Sequence, residues 1–226
     1  MTGYRLTARD SDTYMLDVNA YVESLDDQGT VPSTDSRTQR VRHALAQDGY
    51  DELLAYLDHW ADTCATDPGQ DSAVWFDVGP LNAPDIIHPY WIHRDIRIAE
   101  NTDDLIPTNC ANGIDVKPGV DTDALLGYLN STVHAAFLEL WGQAEGGGSL
   151  EVTTGTLNQL PVADGQAFSE ETRNEIGAAY HAFIRDEDNA QARLDNAILD
   201  ALDAEVDAAT LREAHEMLRH DRFPND

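Results

Sequence analysis

Lysine is almost absent from this 226-residue chain. The 14 basic residues are 13 Arg and a single Lys, Lys117, against 42 acids, of which 29 are Asp, and the formal net charge is -28. Such a surface repels itself and destabilises a compact chain in dilute salt. Molar salt shortens the screening length to roughly 3 Å and removes most of that repulsion. An acidic disordered chain is the other reading of this charge. It is disfavoured by 42% hydrophobic content and 17 aromatics. The composition therefore predicts a folded protein adapted to concentrated salt.

Long apolar runs are also missing. No stretch approaches the roughly 18 residues of a membrane span. The first residues, MTGYRLTARDSD, lack the apolar core of a signal peptide. The two cysteines, Cys64 and Cys110, form no CxxC pair and read as isolated thiols. Together these absences predict a soluble, cytoplasmic protein with no membrane partner.

Catalytic signatures are lacking too. There is no phosphate-binding G-x-x-x-x-G-K-[ST] loop, no G-x-G-x-x-G and no G-x-S-x-G elbow. The eight histidines are scattered. His88 and His93 are five apart, on opposite faces of an ideal strand, so a metal site built from them with Cys110 is disfavoured and no metal is expected. His215 and His220 read as solvated. Carboxylate pairs carry no information in so acidic a chain.

The pattern that is present predicts an α+β fold. It has a helical N-terminal part (1–66), a small strand-rich middle packed on a long helix (67–165) and a helical C-terminal part (166–226). Helices are expected over Tyr14–Leu25, Ser36–Ala46 and Tyr50–Cys64, with a polar loop over Asp26–Ser36 and a break at Gly49. In the third helix Leu53, Leu54, Leu57 and Trp60 make an apolar stripe. Strand-like segments follow at Ala73–Val78, Pro89–Ala99, Leu105–Asn109 and Ala111–Val116, with Asn112-Gly113 as a turn or bulge. In Pro89–Ala99, Trp91, His93, Asp95 and Arg97 alternate with Ile92, Arg94, Ile96 and Ile98, which sets Arg94 and Arg97 on opposite faces. A helix capped by Asp121 or Thr122 should run through Leu125, Leu126, Leu129, Val133, Phe137, Leu140 and Trp141 until the triple glycine ends it. A short strand (Ser149–Thr153), a helical turn (Thr154–Leu160) and further helices from Ser169 to Leu218 complete the reading.

Residues Leu125–Val162, LLGYLNSTVHAAFLELWGQAEGGGSLEVTTGTLNQLPV, carry the most specific pattern. The opening Leu126, Leu129, Asn130, Ser131, Thr132, the turn Gly146-Gly147-Gly148 and the exit Leu150, Leu157, Leu160, Pro161, Val162 resemble the C-terminal target-recognition region of adenine-N6 DNA methyltransferases. Those enzymes belong to restriction-modification and phage-defence systems. Upstream, PYWIHRDIRIAEN and LIPTNCANGIDV resemble the aromatic-basic strand and Asn-rich turn of that family, so the likeness spans roughly Ala73–Val162. Packing of the helix on the strands accounts for much of the motif, with Asn130 and Ser131 placed to fix a neighbouring loop through backbone hydrogen bonds.

The resemblance implies duplex-DNA recognition. It places DNA-contacting candidates at Tyr90, Trp91, Arg94, Arg97, Asn109, Asn112, Lys117, Asn130, Ser131, Gly146, Gly147 and Gly148. It also implies a separate methyltransferase catalytic domain or subunit as partner. The family's [NDS]-P-P-[YFW] motif, which meets the extruded adenine, is absent here. No catalytic residue is therefore assigned, and S-adenosylmethionine is expected only on the missing catalytic domain. A protein-interaction module or inactive remnant of such an enzyme is the alternative, and an independent enzyme is the least favoured.

Overall fold

A computed structural model describes residues 5–6, 37–64, 82–220 and 222–223. The helix expected over 14–25, the loop over 26–36, the strand over 73–78 and the side chains of Trp60 and Cys64 lie outside the described residues. Two compact units divide the chain, one formed by residues 12–82 and the other by residues 1–11 and 83–226.

The first unit holds α1 (Arg37–Gln47) and α2 (Asp51–Cys64). Gly49 turns between them with φ +79°, and the Tyr50 amide donates back to Leu45 O at 2.9 Å. Asp51 and Glu52 stand in the first turn of α2, where carboxylates favour the positive end of the helix dipole. Ala44, Leu45 and Leu57 are buried, and Arg42 pairs with Asp58 at 2.5 Å.

The second unit is an α+β assembly with two small sheets. The strands are β1 (Arg5–Leu6), β2 (Ile86–Pro89), β3 (Trp91–Ile92), β4 (Ala99–Asn101), β5 (Ala111–Ile114), β6 (Gln143–Ala144) and β7 (Leu150–Glu151). One sheet has the order β1-β4-β2-β5, with β1 parallel to β4 and the other pairs antiparallel; the second has the order β3-β7-β6 and is antiparallel. The helices are α3 (Thr122–Leu129), α4 (Thr132–Trp141), α5 (Thr154–Leu157), α6 (Glu170–Ile184), α7 (Ala190–Ala201) and α8 (Ala208–His220).

Helix starts follow the capping residues. The side chains of Asp121, Ser131 and Ser169 accept from the amides of Ala124, His134 and Thr172. The main core joins Ile86 and Ile98 from the first sheet and its approach to Leu126 and Leu129 of α3, Ile176 and Tyr180 of α6, and Leu194 and Ile198 of α7. The helices after residue 165 thus share a core with α3. A smaller core of Ile92, Leu138, Leu150, Val152 and Leu160 lies under the second sheet.

Four expectations are corrected. The strand foreseen over 89–99 is two short strands in different sheets, separated from β4 by an irregular loop over 93–98. Ile92 and Ile98 are buried and Trp91, His93, Asp95 and Arg97 exposed, as alternation requires, but Arg94 is exposed as well. Residues 105–109 form no strand. The Asn101 amide instead holds this loop, donating to Leu105 O at 2.8 Å and accepting from Leu105 N at 2.9 Å.

Asn112-Gly113 is no turn but the middle of β5. The glycine is needed because the Pro84 ring lies against its Cα, where a Cβ would come within 2.8 Å. The single long helix is really α3 and α4, broken at Asn130-Ser131. The Ser131 hydroxyl donates to Tyr128 O at 2.7 Å and its oxygen caps α4. The second helix ends at Gly142, four residues before the triple glycine. Its last residues, Leu140 and Trp141, are exposed rather than part of the buried stripe.

Candidate nucleic-acid interface

The loop over 93–98 is gripped at both ends through its backbone, while Ile96 and Ile98 pack into the cores. At its far end the Asn130 side chain pairs with Ile98 as a neighbouring strand would. Oδ1 accepts from Ile98 N at 3.0 Å and Nδ2 donates to Ile98 O at 3.0 Å. Nδ2 also donates to Leu126 O at 2.9 Å, at the C-terminus of α3. At its near end, Arg222 donates to His93 O at 3.2 Å and Arg219 to Arg94 O at 3.3 Å. These side-chain donors replace the ladder that a continuous strand would have made, which explains why the chain leaves the sheet.

The loop borders a cleft of about 390 Å³. Four of the chain's 13 arginines line it: Arg94 and Arg97 from the loop, and Arg212 and Arg219 from α8. The carboxylates of Asp95, Glu139 and Glu216 stand among them. Glu139 is matched by Arg222, which donates from Nε at 2.7 Å and Nη2 at 2.5 Å. Both side chains of this forked pair are about 95% buried. His215, expected in solvent, is largely buried beside Glu139 at 3.9 Å. Burial lowers its pKa, partly countered by the Glu139 charge.

Under the cleft, the buried Asp195 carboxylate accepts from Thr132 N at 2.8 Å, Thr132 Oγ1 at 2.9 Å and Gln191 Nε2 at 3.0 Å. It therefore anchors the first turn of α4 to α7. The result is a rigid floor with guanidinium groups above it.

The structure sorts the sequence candidates into distinct groups. Arg94 and Arg97 share the cleft, rather than opposing each other as an ideal strand would require. Asn130 and Ser131 also border it, but both are buried and engaged with backbone groups. Asn112 is buried too, donating to Val152 O at 2.8 Å and accepting from Thr154 Oγ1 at 2.9 Å. These three side chains shape the site from beneath, each buried and bonded to protein groups.

Tyr90 is half-buried, and its hydroxyl donates to Glu151 at 2.6 Å. That bond to a carboxylate raises its pKa. Trp91 beside it is 48% exposed, with the two rings 5.3 Å apart. Asn109 is exposed, and Gly146 and Gly147 are exposed with open space around them. Gly148 is buried: its φ is +77°, and a Cβ would overlap the Phe223 ring.

Lys117 stands apart, at the rim of a second cavity of about 490 Å³ with aliphatic walls such as Val116, Leu125 and Leu160. His134 lies at that wall, but its ring nitrogens are sealed from solvent, and burial lowers its pKa to about 3. That wall thus presents no hydrogen-bonding ring edge.

Arg212, Arg219 and Arg222 were not among the sequence candidates. A spacing of seven places Arg212 and Arg219 on one face of α8, and Arg222 follows just beyond its end, a signal obscured by the acidic surroundings. Among the described residues, no three His, Cys, Asp or Glu side chains come together as a metal site. Among them, too, no helix is long and apolar enough to cross a membrane.

The family model for the C-terminal domain of Type II methyltransferase M.Eco57I matches residues 72–199. The chain belongs to this family. The matched span runs through β2 to β7, the Asn130 junction, the glycine turn and most of α7, so the loop over 93–98 is part of the family's C-terminal domain. Helix α8, which supplies Arg212 and Arg219, lies beyond it. No curated protein and no solved structure matches the chain.

Proposed function

We propose that this chain is the DNA target-recognition part of a restriction-modification adenine-N6 methyltransferase. S-adenosylmethionine and the reacting adenine would be held by a catalytic domain or subunit outside this sequence. The observation that carries the reading is the gathering of Arg94, Arg97, Arg212 and Arg219 around one cleft in a chain of net charge -28. Guanidinium groups are weakly hydrated and present a planar fork that fits phosphate oxygens or the O6/N7 edge of guanine.

The absence of a broad basic surface suits recognition in concentrated salt. There, counterion release adds little to phosphate contacts, and hydrogen bonds and shape must supply more of the affinity. Trp91 and the exposed glycines Gly146 and Gly147 flank the same proposed surface as apolar and backbone contacts. Family membership supports the reading, because the matched region is a C-terminal domain of a DNA-modifying enzyme family.

The test is selection from a random duplex library by the full chain in molar KCl, with and without a methyltransferase subunit. A selected sequence, lost in the double variant R94A/R97A, is the expected result. Recovery of no preferred sequence in either arm refutes the recognition reading. It would leave the second reading, a protein-interaction module, which the exposed Leu140 and Trp141 at the end of α4 favour.

A further inference from the structure

Arg222 and Phe223 follow α8 and lie beyond the span matched by the family. Their contacts reach both loops of the candidate interface. The Arg222 guanidinium holds Glu139 of α4 and donates to His93 O and to Gly148 O. The Phe223 ring packs edge-on against His93, with centroids 5.3 Å apart. It also lies under two guanidinium groups, Arg94 at 5.4 Å and Arg222 at 5.1 Å. On another side it covers the bare Cα of Gly148, a contact that any side chain at that position would block.

We propose that Arg222-Phe223 is a positioning element that sets the loop over 93–97 and the glycine turn against each other, and thereby sets which DNA sequence the surface prefers. This inference rests on the recognition reading above. The geometry of Arg94 depends on Phe223 because a cation above an aromatic face is held by the ring quadrupole, which restricts the directions in which the guanidinium can point. Gly148 depends on it because its left-handed backbone is covered by the same ring. The dipeptide touches both loops at once.

The experiment uses the full chain in molar KCl with F223A and F223Y. It measures amide exchange in peptides covering 91–98 and 145–149, and binding to a library-selected and to a scrambled duplex. Two cation–π contacts of ordinary strength correspond together to about tenfold in an equilibrium. F223A is therefore expected to raise exchange in both peptides and to lower discrimination between the duplexes by about that factor. Binding to the scrambled duplex should stay within about twofold, because phosphate contacts carry non-specific affinity.

F223Y keeps the ring and should restore both readouts, while peptides away from the two loops should exchange at the wild-type rate in F223A, which a loss of general stability would not allow. If F223A does not fold, F223L, which keeps apolar bulk but no aromatic face, takes its place. Wild-type exchange and wild-type discrimination in the ring-less variant overturn the proposal, as does failure of F223Y to restore them. A wild-type chain with no duplex preference refutes the recognition reading instead. The positioning role is then decided by exchange alone, where unchanged rates in either peptide overturn it.

Discussion

Replacing Asn130 with alanine should unfold much of the second unit's margin of stability without removing any apolar contact of note. Asn130 is 6% exposed and Ile98 is fully buried. The substitution deletes three hydrogen bonds, two to Ile98 and one to Leu126 O. A neutral intramolecular bond contributes about 1 kcal/mol net, and a buried amide or carbonyl left without a partner costs about 1–3 kcal/mol. Ile98 N–H and C=O both lose their Asn130 partner, so the loss is expected at about 3–5 kcal/mol, against the 5–15 kcal/mol typical of a folded domain. Asn130→Asp keeps the acceptor for Ile98 N but turns a second oxygen towards the carbonyls of Ile98 and Leu126, and should lose at least as much. Urea denaturation followed by tryptophan fluorescence measures both; urea is needed because guanidinium chloride would itself supply the salt. A loss below about 1 kcal/mol for N130A would refute the bridging role assigned to this side chain.

Other substitutions test other parts of the site. Asp195→Ala strands the Thr132 amide and hydroxyl under the cleft and should lower stability by about 3–5 kcal/mol in the same urea assay, with Asp195→Asn losing less. Burial lowers the pKa of His88 to about 4 and that of His134 to about 3, from 6.5, so the unfolded chain binds more protons in that interval. Their neutral-form stability is complete above pH 6.5 and falls as pH drops towards those values, by up to about 1.4 kcal/mol per pH unit for each ring. His134→Gln should make the pH dependence of unfolding shallower between pH 6 and about 4 by close to one such increment, and an unchanged slope would contradict the sealed, neutral ring. Arg212→Ala should weaken selected-duplex binding about tenfold while changing the urea midpoint little, because Arg212 is only partly buried and lies 3.9 Å from Asp195.

Much of the helical framework was legible from local chemistry. Asp121 and Ser169 cap the helices expected to start there, and Ile176 and Tyr180 fall on the buried face of α6. What misled was any feature whose partner is distant in sequence. The apolar spacing continues smoothly from Leu126 and Leu129 to Val133, so nothing local marks the break at Asn130. The break exists because Asn130 is taken up by Ile98, 32 residues away. Alternation across Pro89–Ala99 suggested a strand for the same reason, since the carbonyls of His93 and Arg94 are claimed by arginines from the end of the chain. The site followed this pattern. Arg94 and Arg97 were visible as rare cations in the middle region, whereas Arg212, Arg219 and Arg222 join them only once α8 folds back over α4. Asn112 and Ser131 carried the right motif, but their side chains face inward.

The manner in which the loop over 93–98 is gripped has an evolutionary corollary. Asn130, Arg219 and Arg222 seize main-chain atoms of His93, Arg94 and Ile98, and every amino acid supplies those carbonyls. The fastening at the two ends is therefore blind to the identity of Asp95, whereas Ile96 between them is fixed by packing against both cores. A stretch moored by its two ends in this way can change its solvent-facing residues while the moorings and the Ile96 anchor stay in place.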